Sequence, residues 1–209
     1  MSMTPRVALI AAVAAMAAVV VASNILVQHP VQGTVGGIVL ADMLTYGAFT
    51  YPFAFLVTDV VNRTFGPALA RRVALSGFAI AVGMSLVLAT PRIALASGTA
   101  FLLAQMFDVS MFDRLRHGRW WRAPLISSFA ASALDTVIFF TLAFSVLVPF
   151  GLDEFAVAQA PLLGLEGAPD VPRWMSWALA DFTVKLAVAA FALGPYRALT
   201  ASRSAPTAS

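Results

Sequence analysis

Along the chain, apolar residues gather into six runs, at 7–28, 46–62, 73–90, 93–107, 124–148 and 174–193. A helix needs about 20 apolar residues to cross a bilayer core, so each run is a candidate span. The pattern predicts an all-α integral membrane protein of six transmembrane helices, forming one domain over residues 1–200. Polar punctuation separates the runs. A Gly-rich stretch at 33–37 leads into the second run, and Pro91-Arg92 makes a tight break between the third and fourth. A basic stretch occupies 114–122, and a polar loop at 153–173 carries Pro161, Pro169 and Pro172. The Ser/Ala/Thr tail at 201–209 is expected to be disordered. Arg6 and the small residues near Ala22 give the first run some look of a signal peptide. That run is nevertheless longer than the roughly 7–15 apolar residues of a secretory segment, and it reads as a span. Strands are not expected in an all-helical membrane chain.

Composition agrees. Hydrophobic residues make up 60% of the chain and charged residues 11%, against roughly a quarter charged in soluble domains. Cysteine is absent, which excludes disulfides and thiolate metal sites. The arginines set the orientation. With the N-terminus inside, ten arginines fall on cytoplasmic segments: Arg6, Arg63, Arg71, Arg72, Arg114, Arg116, Arg119, Arg122, Arg197 and Arg203. Only Arg92 and Arg173 fall outside, and Lys185 lies within the last run. The positive-inside rule then predicts both termini to be cytoplasmic.

Polar groups inside apolar runs are costly and point to function. At about 1.5 Å per residue, Asp135 lies about 16 Å from the cytoplasmic end of the fifth run, and Lys185 about 16 Å from the outer end of the sixth. Both reach the midplane of a core about 30 Å thick. Asp181 sits one turn from Lys185, an arrangement that fits a structural ion pair as well as a binding site. Asp135 has no cation on its own helix and ends a stripe with Ser128 and Ser132. Asp59 and Gln105 lie toward the cytoplasmic side, while Asn24 and Gln28 share a face near the outer end of the first run. Asp108 and Asp113 are expected at the interface beside the basic stretch. Trp120-Trp121, next to Arg119 and Arg122, reads as a headgroup anchor rather than a nucleotide site. His29 and His117 fall at membrane edges. There is no nucleophile elbow, zinc-protease motif or P-loop, so no enzyme, cofactor or metal site is indicated.

These residues, taken in order, resemble the queuosine-precursor transporters, also called the vitamin uptake transporter family. The matching set is Ser23-Asn24, Pro52-Phe53, Thr58-Asp59, Phe65-Gly66, Arg92, Gln105, Asp108 and Phe112. It continues through Arg114-Leu115-Arg116, Trp120-Trp121, Ala123-Pro124, Asp135-Thr136, Phe139-Phe140, Asp181 and Lys185. The resemblance runs from about residue 20 to 197, and the 90–92 break looks shorter than is usual in the family. It implies a six-helix carrier, similar in fold to the substrate-binding component of energy-coupling-factor importers but acting without the ATPase module. The implied cargo is 7-cyano- or 7-aminomethyl-7-deazaguanine, imported across the inner membrane of a Gram-negative cell for salvage into tRNA.

The substrate-binding residues expected on this reading are Asn24, Asp59, Arg92, Gln105, Asp135, Phe139, Asp181 and Lys185. A carboxylate and an amide can bind an aminopyrimidinone edge, and Phe53, Phe55, Phe139 or Phe140 could stack on the ring. The expected partners are a small purine-like molecule and the lipid bilayer, not nucleic acid. Two alternatives stand beside this reading: a vitamin-binding component of an ATP-driven importer, and an intramembrane enzyme or scaffold.

Overall fold

The computed structural model describes residues 5–201, and over them the apolar runs become helices. The order is α1 (Pro5–Leu26), β1 (Thr34–Val35), β2 (Ile38–Val39), α2 (Gly47–Thr50), α3 (Phe53–Phe65), α4 (Pro67–Leu88) and α5 (Pro91–Leu115). There follow α6 (Arg122–Phe144), α7 (Glu154–Val157), β3 (Gln159–Pro161), β4 (Asp170–Pro172) and α8 (Arg173–Ala201). Among the described residues five helices (α1, α4, α5, α6 and α8) are long and apolar enough to cross a membrane, so this is a multi-pass membrane protein. The expected disordered tail lies, apart from Ala201, outside the described residues.

Local chemistry explains the boundaries. α4 and α5 each open with proline at the first helical position, where a missing N–H costs nothing. Thr90 caps α5 by accepting the Ile93 N–H at 3.4 Å, so the turn between α4 and α5 is as tight as Pro91-Arg92 suggested. α5 runs eight residues beyond the expected end at 107, which carries Asp108 into the bundle interior instead of leaving it at the interface. Asp113, one turn further on, does lie at the periphery, 3.3 Å from Arg116. α6 stops at Phe144, before the expected 148. Ser145 turns extended and its Oγ accepts the Leu147 N–H, and Pro149 disfavours helix in the residue before it.

Two expectations change. The second apolar run, 46–62, is divided into α2 and α3 at Tyr51-Pro52, both of which keep right-handed helical dihedrals. Pro52 has no N–H to donate, and Ala54 and Phe55 take the carbonyls of Tyr51 and Pro52 in the tighter i−3 pattern. Strands do occur, as two short ribbons outside the long helices. β1 and β2 pair through the turn Gly36-Gly37, whose φ values of 57° and 86° suit the mirror-image turn of a two-residue hairpin. β3 and β4 pair antiparallel in the proline-rich loop.

The helices pack α5 on α6, α4 on α1 and α5, α6 on α8, and α3 on α4 and α8. The core gathers Met16, Val20, Ala54, Val61, Val73, Phe101 and Val109 from α1, α3, α4 and α5. Ala14 and Ala18 of α1 face outward. α2 lies close against the end of α1. A Cβ at Gly47 would sit 2.9 Å from the Val27 backbone nitrogen, and Ser23 Oγ and Thr50 Oγ1 are 2.9 Å apart across the same contact. One end of the bundle is basic. There Arg63 donates to Tyr196 Oη at 2.9 Å and to the carbonyls of Arg116 and Trp120, and Arg197 stands 4.9 Å over the Trp120 ring.

Candidate functional site: a cavity closed by a buried charge cluster

A cavity of about 530 Å³ lies between α1, α2, α4, α5, α6 and α8. Its size falls within the roughly 300–1,000 Å³ of small-molecule sites. Asn24 of α1 and Gln28 just beyond it reach it from one side, with Ser85 of α4 and Ser97 of α5. An aromatic wall of Phe139, Phe140 and Phe144 from α6, with Trp177 from α8, forms the other side. Those rings brace one another edge to face, with Phe139–Phe140 centroids 5.0 Å apart and Phe144–Trp177 5.4 Å apart. The geometry holds the wall rigid without filling the space beside it.

The polar end of the cavity is a cluster built across helices. Lys185 Nζ sits 2.7 Å from Asp135 Oδ2 and 2.5 Å from Asp181 Oδ2, and donates to Thr136 Oγ1 at 3.3 Å. An ammonium has three protons, and all three are taken by protein groups. Thr136 in turn donates to Asp181 Oδ2 at 3.1 Å, and Tyr51 donates to Asp135 Oδ1 at 2.9 Å. The Tyr51 ring also lies 5.4 Å from the Lys185 ammonium, a cation–π contact. Two carboxylates around one ammonium leave a net charge of −1. Every donor of Lys185 is spent, whereas the carboxylate oxygens keep lone pairs. The cluster therefore offers acceptors to whatever enters the cavity.

Of the residues expected to bind, Asn24, Asp135, Phe139, Asp181 and Lys185 line this cavity. The cation that Asp135 lacks on α6 comes from α8. Asn24 turns its amide N–H to its own helix, at Val20 O, which leaves its oxygen open. Asp59, Arg92 and Gln105 do not line the cavity. Arg92 is buried at the start of α5, where its guanidinium donates to the carbonyls of Leu142 (3.0 Å), Ser145 (2.5 Å) and Phe150 (3.0 Å). It satisfies acceptors that the end of α6 leaves open, a role in holding the fold. Gln105 accepts from Thr58 at 3.1 Å, and Asp59 accepts from Ser128 at 3.4 Å, both within a second buried polar layer. Phe55 packs in the core against Ala104 and Ala131, and neither it nor Phe53 reaches the cavity.

Tyr51, Phe144 and Trp177 were not foreseen. Tyr51 carried a usable signal, because a buried tyrosine hydroxyl in an apolar run must find an acceptor. Trp177 and Phe144 carried none, since aromatic residues near span ends ordinarily mark the interface. His29 and His117 are exposed. Among the described residues no group of three or more His, Asp or Glu could hold a metal.

Comparison with known proteins follows the same lines. The family model described as "Putative vitamin uptake transporter" matches residues 45–90 and 84–199. The chain is 37% identical over 147 residues to the queuosine precursor transporter of Escherichia coli K12, covering 60% of this chain and 64% of that protein. It is 33% identical over 153 residues to a protein of Haemophilus influenzae named as a probable queuosine precursor transporter, covering 60% and 65%. The chain thus spans slightly less than two thirds of the length of these relatives. No solved structure matches. Family and relatives alike are transporters rather than enzymes, and with the family model matched over more than half its length, this chain belongs to the vitamin uptake transporter family.

Proposed function

We propose that the chain is a carrier that imports queuosine precursors, 7-cyano- or 7-aminomethyl-7-deazaguanine, across the inner membrane for use in tRNA. The observation that carries this reading is the acceptor-rich Asp135–Lys185–Asp181 cluster at the end of an aromatic-walled cavity. A 7-deazaguanine presents a ring N–H and an exocyclic amine side by side, which a carboxylate accepts as a pair. Phe139 and its neighbours give the flat ring a face to stack on. Asn24 Oδ1 supplies one more acceptor on the opposite wall. Asp135 and Asp181 bind the ligand in this scheme, and Lys185 holds the two carboxylates in place.

The names of the relatives support the cargo, and the arginine count supports the orientation, with both termini in the cytoplasm. α2 and α3 together run from residue 47 to 65. That is 19 residues, or about 28 Å of helix, enough to serve as a sixth, proline-kinked crossing. The carrier works without an ATPase partner. Purified protein should bind 7-cyano-7-deazaguanine in a calorimeter, and vesicles holding this chain alone should take it up. Uptake that appears only when an ATPase module is added would favour the alternative, a binding component of an ATP-driven importer. Failure of the chain to restore queuosine in the tRNA of cells unable to make or import the precursor would refute the cargo.

A further inference from the structure

Below the cavity, toward the basic end, α3, α5 and α6 enclose a second polar layer that the carrier reading leaves unused. Its centre is Asp59 of α3 and Asp108 of α5, which neighbour each other and are 2% and 0% exposed. Ser127 and Thr58 also border Asp108. Neither carboxylate has a cation within salt-bridge reach among the described residues. Asp59 Oδ1, both Asp108 oxygens, Asn62 Oδ1, Gln105 Nε2, Ser127 Oγ and Ser132 Oγ are buried with no hydrogen bond of good geometry there. Six of the seven atoms belong to residues with no measurable exposure, and six are oxygens, against the single amide nitrogen of Gln105.

Two carboxylates brought together in a dry interior call for one positive charge between them. The charged and titratable groups around them are few. Arg63, one turn along the same helix from Asp59, is engaged at the basic end with Tyr196 of α8 and the carbonyl of Arg116, and Tyr196 borders the same small cavity as Asp59. α6 contributes only the hydroxyls of Ser127, Ser128 and Ser132, and Arg71 and Arg72 of α4 are exposed. A small cavity of about 10 Å³, room for roughly one water, is bordered by Asp59, Ser128 and Tyr196. On the other side, Ser128, Ser132 and Asp135 follow one another along α6 at about one turn each, from the Asp59 carboxylate to the charge cluster.

We propose that Asp59 and Asp108 form a binding site for one small monovalent cation, a proton or a sodium ion, whose exchange is coupled to solute movement. The proposal rests on the carrier reading for the coupling, but not for the site itself. Occupancy neutralises the layer between the cavity and the basic end and lets α3 and α5 stay together. Loss of the cation leaves two like charges facing each other and drives those helices apart. Asp59 lies two turns beyond Tyr51, so the movement reaches Asp135 directly through the Tyr51 hydroxyl.

The test uses the full chain in vesicles with 7-cyano-7-deazaguanine as probe. One arm imposes a tenfold inward proton gradient without sodium, and the other a tenfold inward sodium gradient at equal pH. With one cation moved per solute, the effective arm should yield about tenfold accumulation. Asp59→Asn and Asp108→Asn should abolish the gradient response while precursor affinity stays within about twofold. If the unmodified protein binds the probe but neither gradient alters its accumulation, the coupling proposal fails and the carrier reading stands. If the purified protein does not bind the probe, the carrier reading fails, and infrared spectroscopy decides the site. A protonated-carboxyl band that disappears on adding sodium or alkali, and is absent from Asp59→Asn, supports it. A spectrum insensitive to both overturns it.

Discussion

Lys185 and Asp135 divide the work of one cluster, and substitution should separate their roles. Lys185 spends all its donors on Asp135, Asp181 and Thr136. Lys185→Ala would leave two buried carboxylates without a cation, costing about 3–5 kcal/mol. Poor yield and a lowered melting temperature in detergent are expected, before any effect on binding can be read. Asp135→Asn leaves the Lys185–Asp181 pair intact, but its one oxygen can serve Tyr51 or Lys185 and not both, since these donate to Oδ1 and Oδ2 respectively. The larger loss falls on the ligand, which meets a donor where it needs an acceptor. Precursor affinity should drop by at least ~30-fold, or about 2–5 kcal/mol, in a protein that still folds but melts somewhat lower than the parent. Calorimetry on monodisperse mutant and parent checks this, and unchanged affinity would remove Asp135 from the site. That Asp135 was chemically loaded was legible in the sequence, because a carboxylate deep in an apolar run has few other reasons to be there. Which cation it meets was not, since Lys185 lies 50 residues away on another helix.

α2 and its junctions are the weak point of sequence reading at the scale of elements. Residues 46–62 are apolar enough to look like one plain span, but Pro52 divides them, and Tyr51 is thereby placed against Asp135. The close seating of α2 on α1 depends on Gly47. A methyl group there meets the backbone of Val27 at 2.9–3.0 Å, and backbone cannot move aside as a side-chain tip can. Gly47→Ala should therefore destabilise by about 1–3 kcal/mol, the usual cost of overpacking, and widen the cavity mouth. Thermal unfolding beside the parent measures the first effect, and a weaker precursor affinity the second. An unchanged melting temperature would show that α2 is free to shift. Arg92 belongs to this scale too. Its position at the start of a run suggested a ligand, but its three carbonyl partners make it a clamp between α5 and the end of α6.

For the whole molecule, orientation is the property most open to test. Ten arginines against two predict that a reporter fused after Arg197 is active only in the cytoplasm. Activity on the far side would overturn the topology and, with it, α2–α3 as a sixth crossing. In the folded chain Arg63, Arg116 and Arg197 meet at one end, while Arg92 and Arg173 lie toward the other, with the polar loop. The segregation counted along the chain is thus also present in space. The cavity lies between the two ends, and the Asp59–Asp108 layer lies between the cavity and the basic end.

Membrane residence, the long helices and the carboxylates Asp59, Asp135 and Asp181 inside the spans could be read from the sequence alone, whereas Asp108 was expected at the interface and is buried. Hydropathy is a local, additive property, and each charge in an apolar run announces its own cost. The tertiary structure decided which of those charges face one another. It joined Asp135 to Lys185 and Tyr51, set Asp59 with Asp108 outside the cavity, and turned Arg92 to the end of α6. Such pairings depend on how far each helix is rotated and where it kinks. Those angles come from packing between helices distant in sequence, which no window along the chain records.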